Sequence, residues 1–452
     1  MPREITDPAR PAGENTCKLC APLGACLVFR GIRGGMPFLH GSQGCATYIR
    51  RYLISHFREP VDIASSSFSE ESAVFGGGEN LRQGLVNVIA QYNPELIGIA
   101  TTCLSETIGD DVALHLRNWT AEHPGSPPLV SVSTPSYRDT HAEGFHATVR
   151  AVVETLAETG SREGHVNVFP GLVSPADLRH LREIFDSFGL ETIMFPDYSE
   201  SLDGASWSEY EAIPRGGVPV ESLRRLGRAR ASLEFGRVVC GAPATAATWL
   251  EQHCGVPRFA LGLPVGIEET DRLFEVLVSL SNQPVPARFA AERGRLVDAY
   301  IDAHKYCFNL KVAVFGEEDL VVALTAFLAE TGVRPVLCAS GARSGRLAES
   351  LARVAPPVAK ELTVMAGTDF TQIETEAMRL EVELLVGTGK GQMLARKRDL
   401  PLLRTGFPIH DRFGGQRILH VGYRGTQELF DRLVNAVLEK RQADSAIGYS
   451  YM

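Results

Sequence analysis

No stretch of this chain approaches the ~20 consecutive apolar residues that a membrane-spanning helix requires. Its apolar runs are short, of the kind seen at Leu96–Ala100 and Val312–Phe315. The N-terminal segment is polar and proline-rich and has no apolar stretch of the secretory type, so it reads as a flexible arm. A cytoplasmic protein with no membrane partner is expected. An excess of basic residues is also missing: 45 Lys and Arg face 54 Asp and Glu, a formal charge of −9. Neutralising a polyanion takes clustered cations, so nucleic acid is excluded as a partner. Paired cysteine motifs are scarce too. Cys17 and Cys20 form a C-x-x-C, but no second C-x-x-C exists to complete a four-thiolate zinc site. Nine cysteines, an odd number in a long chain of this type, argue against a disulfide framework and for ligation, burial or both.

What is present is an alternation of short β-type runs and helical patterns over 452 residues, 44% of them hydrophobic. That is the pattern of βαβ units and parallel sheets. Val166–Phe169 reads as a strand, Ser174 as an N-cap followed by Pro175, and Leu178, Leu181, Phe185 and Phe188 as one helical face stopped by Gly189. The next strand is expected at Leu190–Phe195. The design recurs with a strand at Leu310–Phe315, a buried helix face from Leu320 to Leu328, a stop at Gly332 and a strand at Pro335–Cys338. The expected fold class is α/β, with three doubly wound, Rossmann-like parallel-sheet domains over residues 1–162, 163–286 and 287–452. The breaks are placed at Ser161–Gly164 and at the proline-interrupted Gln283–Ala287. Asp203–Ala231 has little periodicity and yields no assignment.

Three cysteines stand apart because each lies in a loop of small residues: Cys20 in CAPLGA, Cys45 at the end of HGSQGC and Cys103 in TTCLSETIGDD. Iron–sulfur clusters take thiolate ligands and need close backbone approach, which small residues permit. Cys103 follows the buried run Leu96–Ala100 and should stand at the carboxyl end of a parallel strand, where open α/β sheets bind ligands. Any one of the three alone could be a half-buried core thiol; together they point to a shared metal centre. Cys26, Cys240, Cys254, Cys307 and Cys338 read as structural. His40, His56, His410 and His420 could be ligands, yet lone histidines in a large chain are more often hydrogen-bonded structural residues. Gly387-Thr-Gly-Lys-Gly391 lacks phosphate-loop spacing and reads as a tight turn. His56-Phe-Arg-Glu-Pro60 reads as a surface loop or subunit contact.

These blocks, with SEESAVFGG from Ser69, TPSY from Thr134, ERGRLVDAYIDAH from Glu292 and GFPIHDR from Gly406, resemble the β (K-type) subunit of the nitrogenase component 1 family. The cysteine spacings of 25 and 58 residues equal those of the family's cluster ligands. The resemblance spans nearly the whole chain.

The resemblance implies an oxidoreductase subunit that pairs with a homologous α (D-type) subunit in an α2β2 heterotetramer. An ATP-dependent iron protein would serve as electron donor. Cys20, Cys45 and Cys103 would be this chain's ligands to an 8Fe-7S P-cluster shared with the α subunit, which would hold a larger iron–sulfur cofactor; no catalytic residue is then expected on this chain. Ser42 would lie behind the cluster, Tyr48 near the electron path, and Glu59 at an interface site for a divalent cation. Thr140 replaces a serine that can ligate the oxidised cluster. The chain lacks the long N-terminal arm of the molybdenum enzyme's β subunit. That compactness and Thr140 favour a nitrogenase-like reductase of the methylthio-alkane type over reduction of dinitrogen. The alternative from the same resemblance is an N-type scaffold for cofactor assembly, against which Cys103 counts.

Overall fold

The computed structural model describes residues 1–5 and 15–447. Among the described residues fourteen strands form three sheets, with every strand-to-strand pairing parallel. In chain order they are β1 (Arg3–Ile5), β2 (Gly35–His40), β3 (Ala64–Ser65), β4 (Leu96–Thr101), β5 (Leu129–Val132), β6 (Val166–Phe169) and β7 (Thr192–Met194). There follow β8 (Ala231–Phe235), β9 (Arg258–Leu261), β10 (Lys311–Gly316), β11 (Arg334–Ser340), β12 (Thr363–Ala366), β13 (Leu384–Gly387) and β14 (Leu402–Arg404). The sheet orders are β3-β2-β4-β5, β7-β6-β8-β9 and β1-β12-β11-β10-β13-β14. The three-sheet, doubly wound α/β architecture is the one expected.

Central strands such as β2, β4 and β8 are buried along their whole length, which is why they appear as continuous apolar runs without alternation. Elements expected from local pattern are present: β6 spans Val166–Phe169, and Ser174 caps the helix Pro175–Ser187. The segment from 203 to 219 is irregular apart from a single bridge, Ile32 to Val218. One contiguous apolar core runs between all three sheets, and two smaller clusters cover the outer faces of the first and third.

Two expectations are corrected. The N-terminal arm is not free over its first residues: β1 pairs with β12 and extends the third sheet, not the first. The rest of the expected arm, 6–14, lies outside the described residues. The HFREP segment is not a surface loop throughout, because His56 and Phe57 end the helix Gln43–Phe57 inside the core, where the His56 ring meets Ile409 and Phe407. Only Arg58, in a left-handed conformation, and Pro60 are exposed.

A polar knot joins the second sheet's helices to the C-terminal helix. The Asp177 carboxylate accepts from the backbone N–H groups of His420 (2.6 Å) and Val421 (3.1 Å) and from His420 Nδ1 (2.8 Å). Burial pushes this carboxyl up, but His420 and the surrounding N–H donors outweigh it and hold it below its ordinary value. Asp177→Ala leaves these buried donors unpaired and should destabilise the protein by about 3–5 kcal/mol. Because the folded-state pKa is depressed, this stabilisation is complete above pH ~4 and is lost as pH falls through the folded value. Urea unfolding of both proteins across that range should show the difference shrinking toward acid.

Candidate metal centre

Cys45 and Cys103 follow adjacent strands. β2 leads through Gly41 and Ser42 into the helix Gln43–Phe57, with Cys45 in its first turn; β4 leads through Thr102 to Cys103, first residue of the short helix Cys103–Thr107. Cys103 therefore stands at the carboxyl end of a parallel strand, as expected. The two loops touch: a Cβ at Gly41 would lie 1.9 Å from Thr102 Oγ1, so only glycine allows this approach. Hydrogen bonds fix the contact. Thr102 N–H and Ser105 Oγ both donate to His40 C=O, at 3.1 and 2.8 Å, and Thr101 Oγ1 accepts from Thr134 N–H at 2.9 Å.

Cys20 reaches the same region from the N-terminal side, as N-cap of the helix Ala21–Arg30. It forms an antiparallel bridge with Thr140, which begins the helix His141–Leu156. The two helices cross at glycines. A Cβ at Gly24 would lie 1.8 Å from His141 O, and one at Gly144 would lie 2.1 Å from Ala21 O. Cys20 and Thr140 are thus carried on two tightly apposed helix starts.

Cys20, Cys45 and Cys103 are free thiols, each partly exposed, as are Cys240 and Cys254, whereas Cys17, Cys26, Cys307 and Cys338 are buried. Burial raises the Cys45 thiol above its ordinary value, and the neighbouring Cys20 and Cys103 raise it further, so all three share one electrostatic environment. Among the described residues no group of three His, Cys, Asp or Glu is arranged around one ion. The trio is not a zinc-type site; it suits a polynuclear group with separated ligand positions. Two helices of ten and fifteen residues present their N-terminal ends with Cys20 and Cys45, which favours an anionic occupant. Thr140 Oγ1 and Thr102 Oγ1 are buried and, beyond the capping contact at their own helix starts, have no hydrogen-bond partner among the described residues, so their O–H groups remain uncommitted beside Cys20 and Cys103. The donor set fits an iron–sulfur cluster.

The other expected residues are placed as follows. Ser42 Oγ accepts from Gly44 N–H at 3.3 Å and so caps the helix that carries Cys45. Tyr48 lies one turn beyond Cys45, its ring 4.5 Å from that of Tyr52, which in turn lies 4.9 Å from His410. Glu59 sits in the field of Asp203 and Arg417; burial and Asp203 raise its carboxyl. His40 and His420 are structural, bonded to Asp110 (2.8 Å) and Asp177. Cys17 is buried in the core of the third sheet, and burial pushes its thiol up to about 12.

Lys390 escaped the sequence reading. The turn after β13 sends its Nζ to the C=O of Lys18 at 3.2 Å, placing a largely buried cation in the field of Cys17 and Cys20. The signal available was a lysine in a glycine-rich turn at a strand's carboxyl end, a pattern too common to single it out.

Comparison with known proteins now decides the lineage. The profile of the nitrogenase component 1 type oxidoreductases matches residues 20–438. The chain belongs to the nitrogenase component 1 family. Within that family it is 36% identical over 445 residues to the nitrogenase molybdenum-iron protein beta chain of Clostridium pasteurianum, covering 97% of this chain and 96% of that one. It is 32% identical to the iron-molybdenum cofactor biosynthesis protein NifN of Bradyrhizobium diazoefficiens, covering 97% and 92%. A chain of nitrogenase Cp1 solved at pH 6.5 superposes with a TM-score of 0.94 at 34% identity, covering 100% of this chain and 99% of the other. The similarities place this protein on the β-type branch of the family. No helix among the described residues is long and apolar enough to cross a membrane.

Proposed function

We propose that this chain is the β subunit of a nitrogenase-like component 1 reductase, and that Cys20, Cys45 and Cys103 are its ligands to an 8Fe-7S P-cluster shared with a homologous α subunit in an α2β2 assembly. The observation that carries the reading is the placement of three free, partly exposed thiols on touching loops and crossing helix starts of a chain with family similarity over residues 20–438. When bound, the cluster supplies electron storage between an ATP-dependent iron protein and a larger iron–sulfur cofactor in the α subunit.

This chain's own residues hold and shield that position. The Thr102–His40 hydrogen bond locks the Cys45 and Cys103 loops together. Ser42 stabilises the first turn around Cys45 by capping. Tyr48 and Tyr52 line the helix surface leading away from it, and Tyr48 lies within the electrostatic reach of Cys20. Val74, Phe75 and Tyr137 are exposed large side chains, suited to burial against a partner. Glu59, with Asp203 nearby, is the residue to hold a divalent cation between the two halves of the tetramer.

Beyond its capping contact, Thr140 has its O–H uncommitted among the described residues, next to Cys20. Thr140→Val should retain cluster iron yet change the electron paramagnetic resonance of the oxidised protein, whereas Thr140→Ser should not lose that signal. An unchanged spectrum in the valine variant removes Thr140 from the ligand sphere.

The whole reading is tested by anaerobic purification of the chain with its α partner, followed by iron and sulfide analysis. Iron bound jointly by the pair is expected; a stable, iron-free pair overturns it. The substrate is selected in the partner. With reduced iron protein and ATP, cleavage of the carbon–sulfur bond of a methylthio-alkane is expected, and reduction of dinitrogen alone would replace the substrate while leaving the subunit's role intact. Cluster binding without turnover of either would favour the assembly scaffold, the role carried in the name of the NifN relative.

A further inference from the structure

Lys390 is carried by the turn that follows β13, between Gly389 and Gly391. The turn is pinned on both sides. Gly389 N–H donates to Pro408 C=O at 2.9 Å and Gly391 N–H to Thr388 C=O at 3.1 Å, while a Cβ at Gly391 would lie 2.3 Å from the Phe315 ring. From this fixed backbone the side chain reaches the segment that leads into Cys20, where Nζ donates to Lys18 C=O at 3.2 Å. One carbonyl and one Cα step of about 3.8 Å separate that oxygen from the Cys20 backbone, so the ammonium stands within about 10 Å of it.

This cation has no carboxylate. Among the described residues Lys390 forms no ion pair. Asp411, the acid beside its turn, is engaged by Arg404 Nε at 2.7 Å and Nη2 at 2.5 Å. The ionisable groups around the ammonium are uncharged. Burial pushes the Cys17 thiol up to about 12, brings His141 down to about 3 and lowers His410. Lys18 is a like charge, with its own Nζ turned to Ser136 C=O at 3.2 Å. A cation withdrawn from water without a counter-ion is strongly disfavoured. The fold leaves Lys390 one anionic neighbour, Cys20 as thiolate together with whatever that thiolate binds.

We propose that Lys390 is the counter-ion of the metal centre at Cys20, a positioning residue that raises the reduction potential of the cluster. The proposal rests on the reading of Cys20 as a cluster ligand. Each electron added to the centre makes it more negative by one charge, and a fixed positive charge nearby stabilises the reduced form over the oxidised one. Because the ammonium is partly buried, salt screens this effect less than it would at the surface. The same charge offsets the repulsion among the three thiolates, which is felt in the raised Cys45 thiol.

The test is a redox titration of the anaerobic complex with its α partner, read by electron paramagnetic resonance, with iron analysis of the same samples. Lys390→Met has similar length and no charge. It should lower the cluster's midpoint by at least tenfold in the equilibrium constant, about 59 mV for one electron. Lys390→Arg should keep most of the parent value, and Lys360→Met, which removes an exposed cation, should leave it in place. A thermal melt of Lys390→Met close to that of the parent establishes that it is folded; if it melts early, Lys390→Gln reads the same midpoint. Loss of iron from Lys390→Met with retention by Lys390→Arg supports the counter-ion role. A smaller or upward shift, equal shifts in the methionine and arginine variants, or loss of iron from both overturns it. Full iron with an unmoved midpoint removes Lys390 alone, whereas a parent complex without iron removes the cluster assignment and this proposal with it.

Discussion

Replacing Cys45 with alanine should strip iron from the complex and abolish electron transfer, while replacing Cys26 should leave the iron in place. Cys45 sits partly exposed in the first turn of its helix, between Cys20 and Cys103 in electrostatic terms. Cys26 is fully buried in the main core and reaches no shared loop. Loss of a group that merely supports a metal ligand costs about 10–100-fold in metal affinity, so loss of a ligand should exceed that. Cys103→Ala should match Cys45→Ala, because the two loops are locked to each other through Gly41 and Thr102. Iron and sulfide analysis with electron paramagnetic resonance of the anaerobic complex reads the result. Full iron in Cys45→Ala, or loss of iron in Cys17→Ala, would move the ligand set to other residues.

Gly24→Ala should be among the most damaging single-methyl changes in the protein. Its Cβ would lie 1.8 Å from His141 O and 2.6 Å from Phe145 N, both backbone atoms that cannot rotate away. The helices Ala21–Arg30 and His141–Leu156 would have to separate, exposing a contact that is otherwise buried along its length. Overpacking of this sort costs about 1–3 kcal/mol, and more where backbone must move; the upper end or beyond is expected. Gly144→Ala forces the same separation, so the double variant should cost less than the sum of the two. Gly164→Ala, with nothing within 4 Å of the added carbon, should stay within about 0.5 kcal/mol of the parent. The separation would also shift Cys20 against Thr140, so Gly24→Ala should lower cluster iron even where folded protein remains. Equal denaturant midpoints for Gly24→Ala and Gly164→Ala would refute the close-crossing argument.

The candidate centre was legible in the chain because its signals are local. A cysteine after a buried strand, flanked by glycine and small hydroxyl residues, announces a strand-end loop whatever the rest of the protein does. The same holds for the Ser174 cap and the Leu178–Phe188 face, whose observed helix starts at Pro175. Lys390 was not legible: its partner, the Lys18 carbonyl, is 372 residues away, and nothing in a glycine-rich turn specifies that meeting. The burial of His56 and Phe57 was missed for a similar reason, since the surface that covers them comes from residues 407–409.

Sequence by itself determined the parallel α/β class and the helix starts and stops, and it singled out three thiols in small-residue loops as the candidates for a metal centre. These follow from hydrogen bonding and burial over a few residues, where the pattern has one favourable solution. Only the tertiary structure decided that β1 closes the edge of the third sheet, that glycines at 24 and 144 bring two helices into contact, and that Glu143 and the run 317–319, far apart in the chain, line one cavity. Those arrangements depend on which surfaces of many compatible ones are driven together when the core between the sheets is buried, a choice that no local run of residues encodes.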